Sequence, residues 1–102
     1  QHPPTVYVWC MFQLLQESGS AINLEKPLNQ KKFTEEKSYH FSFDDRAFYE
    51  DTSGSFHSKH IKYLKFVHGV SSPDKISRIK GYKVLSADAM QLVKTIMKLN
   101  NP

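Results

Sequence analysis

The chain has 102 residues, 39% of them hydrophobic and 13% aromatic, with a formal net charge of +4. That profile excludes a disordered, charge-dominated chain, and a single cysteine, Cys10, excludes an intrachain disulfide scaffold. The length suits one compact domain over residues 1–102, and the opening at Gln1 reads as a fragment of a longer protein or a processed chain.

The first segment, "TVYVWCMFQLLQ" (5–16), is nearly unbroken apolar sequence with β-branched and aromatic residues at its start. It is expected to be a central strand buried on both faces, although periodicity alone leaves a buried helix open. "ESGS" ends either element. Residues 18–38 are polar with scattered apolar positions and read as a long loop, with a turn of helix near 31–36. "SYHFSF" (38–43) alternates cleanly, so Tyr39, Phe41 and Phe43 share one face of a half-buried strand. "DD" closes it, "RAFYE" returns as a second strand, and "DTSGS" is a turn.

"HSKHIKYLKFVH" (57–68) fits two geometries. As a helix it gathers Ile61, Leu64, Val67 and Tyr63 on one side and Lys59, Lys62 and Lys65 on the other, with Gly69 as its cap. As a strand it continues the preceding meander and uses residues that favour strands, which puts the strand slightly ahead. "SSPDKISRIKG" is a short helix with Ser72 as cap, Pro73 at its first position and Gly81 as terminator. After "YKVL", Ser86 is expected to cap a helix over 87–99, buried along Ala89, Leu92, Val93, Ile96 and Leu99 and stopped by "NNP". The fold class is α+β, a small antiparallel sheet from the N-terminal and middle segments with a C-terminal helix packed on it.

The chemistry-bearing residues thin out quickly. His57, His60 and His68 lack a second ligand pair, so no metal is expected. Cys10, set between Trp9 and Met11, reads as a small core hydrophobe, and Asp44, Asp45, Glu50 and Asp51 as turn acids. The four glycines are scattered and form no phosphate-binding loop, so neither catalysis, nor a cofactor, nor a small-molecule substrate is implied. The longest apolar run, 6–12, is far shorter than a membrane span, and no leader precedes it. The lone thiol and the absence of an Asn-x-Ser/Thr acceptor point to a nuclear or cytoplasmic setting.

Charge is the remaining signal. Residues 1–51 hold five basic and eight acidic groups, whereas 52–102 hold nine basic and two acidic. That split predicts a non-catalytic module docking an acidic macromolecule, with RNA or single-stranded DNA ahead of a protein. Lys59, Lys62, Lys65, Lys75, Arg78, Lys80 and Lys83 would meet the partner's charges, and Tyr63 or Tyr82 would stack on bases. The alternative is a protein-interaction domain that receives a partner peptide on a strand edge or in an apolar groove. Under the plainest reading Ile61, Leu64, Phe66, Ile76, Ile79, Tyr82 and Val84 are core and the lysines face water.

Overall fold

The N-terminal apolar run is a helix, α1 (Pro3–Glu17), and not the strand expected from its composition. Pro3 and Pro4 fill its first two positions, where a missing N–H costs nothing and the fixed φ suits a helix. The N–H groups of Thr5 and Val6 then close the first turn on the His2 carbonyl. Its buried residues, Thr5, Val8, Phe12 and Leu15, are three and four apart, the period of one helical face. Tyr7, Trp9 and Met11 between them are partly buried against the core as well, and Leu14 is apolar though exposed, which erases the polar phase that would have announced a helix. Gly19, at φ 75°, turns the chain away after Ser18 and Gly19 have capped the carbonyls of Leu14 and Gln16. The computed structural model describes residues 2–19 and 21–100.

The long loop contains no turn of helix at 31–36. It is pinned by burial of Ile22, Leu24 and Pro27 and by two backbone hydrogen bonds to the hairpin. That hairpin pairs β1 (Tyr39–Ser42) with β2 (Ala47–Glu50), antiparallel, with Tyr39 opposite Glu50 and Phe41 opposite Phe48. Tyr39 and Phe41 are buried, as alternation predicts, but Phe43 lies beyond the strand and is 36% exposed. The sheet therefore comes from the middle segment alone.

Each of its flanks is occupied at particular residues. On the β2 side, Asn23 N–H donates to the Arg46 carbonyl and Leu28 N–H to the Phe48 carbonyl, at 2.9 and 2.7 Å. On the β1 side, Tyr39 and Phe56 exchange N–H to carbonyl bonds at 2.8 and 3.0 Å.

The segment at 57–68 resolves as a helix, α2 (Ser58–Gly69), correcting the preference for a strand. Only helical geometry buries Ile61, Tyr63, Leu64 and Val67 together while leaving Lys59, Lys62 and Lys65 in water. Its start is fixed by a histidine pair, the His57 N–H donating to His60 Nδ1 at 3.0 Å. Gly69 is the last helical residue and not the turning residue beyond it, because Val70 leaves in an extended conformation. A 3-10 helix (Pro73–Arg78) follows Ser72 with Pro73 at its start and plugs Ile76 into the core. Gly81, at φ 77°, leads into the last helix.

That helix, α3 (Tyr82–Asn100), begins four residues before Ser86. Ser86 is no cap: it is fully buried, and "YKVL" is the first turn. Leu85, Ala89, Leu92, Val93 and Ile96 are its buried face, whereas Leu99 is 63% exposed. Asn101 and Pro102, read as part of its stop, lie outside the described residues. α1 and α3 run side by side in the same direction. His2 meets the edge of Tyr82, Thr5 bonds Ser86, and Lys94 sits over Tyr7. The α+β architecture thus joins the hairpin and the C-terminal helix in one hydrophobic core, which runs from Phe41 and Phe48 through Leu64 and Val67 to Leu92 and Ile96. Each such side chain contributes roughly 1.5–3 kcal/mol on burial. No helix among the described residues is long and apolar enough to cross a membrane.

Candidate partner-binding groove

Along α2, Lys59, Lys62, Tyr63 and Phe66 follow one another at helical spacing and form one wall of a groove. Ile79, Lys80, Gly81, Val84 and Leu85, from the turn into α3 and its first residues, form the other. The groove encloses about 700 Å³, within the range of ligand pockets. Its floor is apolar, and two of its apolar side chains stand open to water, Phe66 at 39% and Val84 at 68% exposure. Three ammonium groups border this surface.

The nine residues expected to meet a partner do not converge as a set. Lys59, Lys62 and Lys80 do, with Tyr63 beneath them. Lys65 is directed to the neighbouring side of α2, where its Nζ lies 5.8 Å from the centre of the Phe33 ring. Lys75 donates to Ser71 Oγ at 3.1 Å, and Arg78 and Lys83 are exposed outside the groove. Tyr63 cannot stack on an external base, because its side chain is buried to 1% exposure. Tyr82 is half-buried, edge-on to His2, and lines a separate cavity of about 150 Å³ with Thr5 and Ser77. The strand edges are partly taken up within the chain, Tyr39 on one flank and Arg46 and Phe48 on the other already carrying backbone partners.

Burial of Tyr63 has its own chemistry. Its hydroxyl lies 2.5 Å from Ser86 Oγ, which is 2.8 Å from Thr5 Oγ1, which in turn bonds His2 Nδ1 at 3.0 Å. Three helices are joined through these hydroxyls, and burial pushes the Tyr63 phenol above its ordinary value while the Ser86 bond opposes the shift.

Charge near the groove is partly compensated. Glu35, from the long loop, accepts a hydrogen bond from Lys62 Nζ at 2.6 Å, which holds its carboxyl below the usual range. At the outer end of α2, His60 Nε2 meets Asp88 Oδ2 at 2.8 Å. Lys59 and Lys80 have no ion pair among the described residues.

Asp51 and Asp45 do the work expected of turns, whereas Glu50 is the last residue of β2 and ties that strand to the long loop. Asp51 accepts the Ser53 N–H and Oγ at 2.9 and 2.8 Å, bonds that lower its carboxyl. Asp45 accepts from Ser42 Oγ at 2.9 Å, and Glu50 from Gln30 Nε2 at 2.7 Å. His68 lies against Gln16, away from His57 and His60, and no group of three metal-ligating side chains forms among the described residues. Cys10 is a free, half-buried thiol of α1.

Sequence reasoning missed the open apolar side chains of the groove by assigning Phe66 and Val84 to the core, whereas Ile79 does pack against it while lining the groove. The signal was available for Val84: once the helix starts at Tyr82, Val84 falls about 100° from Leu85 and off the buried stripe. No family model matches this chain, and neither a curated protein nor a solved structure matches it.

Proposed function

We propose that the domain is a non-catalytic binding module whose α2–α3 groove takes an acidic, amphipathic segment of a partner protein. The observation that carries this reading is one surface with two characters: open apolar side chains, Phe66 and Val84, between lysines on opposite walls. An amphipathic helix offering an apolar stripe with carboxylates on both sides satisfies all of it, as in helix-in-groove recognition. The lysines confer orientation and speed of encounter, and the floor supplies the buried area. A nuclear or cytoplasmic setting accords with the free Cys10 thiol.

Nucleic acid is the second reading, favoured by the nine basic groups in residues 52–102 against two acidic ones. It is weakened by the burial of Tyr63 and by Lys65 lying over Phe33. The two separate in one titration with a fluorescein-labelled peptide of leucine, alanine and glutamate, about five helical turns long, beside a labelled single-stranded oligonucleotide. Val84→Asp changes an exposed position, so stability stays within about 0.5 kcal/mol. Peptide affinity is expected to fall at least about tenfold, because the new carboxylate loses its water against the apolar floor. Oligonucleotide binding unaffected by Val84→Asp, with a log–log salt slope of about −0.7 per neutralised phosphate, would replace this reading with the second.

A further inference from the structure

Within residues 33–36, "FTEE", Phe33 and Glu35 meet lysines of the helix that forms one wall of the groove. Phe33 is wedged edge-on against Tyr39 and Phe48, at 5.1 and 6.1 Å between ring centres, and the Thr34 N–H donates to the Tyr39 hydroxyl at 2.9 Å. Glu35 thus follows two anchored residues and is delivered to Lys62. Lys65, almost one turn further along α2, covers the Phe33 ring. A short stretch of this chain therefore presents a carboxylate to one of the groove lysines, the chemistry proposed for the partner, while its ring is held beside Lys65 outside the groove.

We propose that this segment is a built-in competitor, with Glu35 occupying Lys62 until an acidic partner displaces it; the proposal rests on the groove reading. The ion pair is suited to exchange. Its Lys62 and Glu35 side chains are 67% and 75% exposed, so water and salt screen it and its loss costs the fold little. Lys62 also lines the groove, so a partner carboxylate on that ammonium contends directly with Glu35.

The test uses the labelled leucine, alanine and glutamate peptide at low ionic strength, with the intact chain and two variants. Glu35→Gln removes the competing charge and is expected to tighten binding about two- to fivefold, the scale of an exposed ion pair. Glu36→Gln makes the same change of net charge one residue on, at an exposed carboxylate with no ion pair among the described residues, and is expected to leave affinity unchanged. Amide NMR spectra confirm the fold of both. Equal tightening by the two variants, which is a long-range charge effect, overturns the proposal. So does an unchanged Glu35→Gln affinity while Val84→Asp still abolishes binding, and in that case the groove stands. No peptide binding by the intact chain or by Glu35→Gln overturns the groove reading itself, and the competitor with it.

Discussion

The hydroxyls of Tyr63 and Ser86 meet at 2.5 Å inside the protein, on two different helices, and Ser86 reaches a third helix through Thr5 at 2.8 Å. Each of the three residues is at most 4% exposed, so water cannot replace a lost partner. Ser86 thereby decides how α1, α2 and α3 come together at one end of the core.

Ser86→Ala leaves the Tyr63 hydroxyl buried without its partner and is expected to cost about 1–3 kcal/mol. Tyr63→Phe is milder, at about 0.5–1.5 kcal/mol, because Ser86 keeps Thr5. The double variant should be less destabilised than the two single losses added together, since each removes the same contact. Urea unfolding of the four proteins checks the order, and strict additivity would refute a shared bond.

Alkaline pH acts on the same phenol. Burial raises the folded-state value of Tyr63 above its ordinary 10.0, so the folded protein holds this proton after the unfolded chain has released it. Its stabilising contribution is complete below about pH 10 and is lost as pH rises from there through the folded-state value. Denaturation midpoints measured on either side of about pH 10 should fall more steeply for the natural chain than for Tyr63→Phe.

Two glycines should respond oppositely to alanine. A methyl group on Gly54 would collide with the backbone N, C and O atoms of Tyr39, which are held in place by the exchange of bonds with Phe56. Gly54→Ala is expected to cost about 1–3 kcal/mol as overpacking, with a lowered Tm. Gly69 lies in α2 with open space around its missing side chain, and Gly69→Ala should stabilise by up to about 1 kcal/mol. A Gly54→Ala protein as stable as the natural one would contradict the close approach.

The sequence spoke clearly where polar and apolar residues keep a single period. Tyr39 and Phe41 alternate with His40 and Ser42, and their strand forms as expected. Ala89, Leu92, Val93 and Ile96 are spaced for one helical face and are buried together. The α1 segment had no such contrast, because α2, α3 and the 3-10 helix press on several of its sides. Its length, beyond the usual four to eight residues of a strand, and its paired prolines were the better guides. The groove was half legible. Lys59 and Lys62 belong to one helical stripe, but Lys80 joins them only through the turn at Gly81: the glycine marks a stop, and no local pattern tells which way the chain leaves it.

The partly covered flanks of the hairpin carry a consequence for behaviour at high concentration. Two-stranded sheets with bare margins can recruit extended chains from solution and grow without limit. Here Asn23 and Leu28 on one flank and Phe56 on the other already hold Arg46, Phe48 and Tyr39, so an incoming strand that pairs along a whole flank must first peel away part of the native molecule.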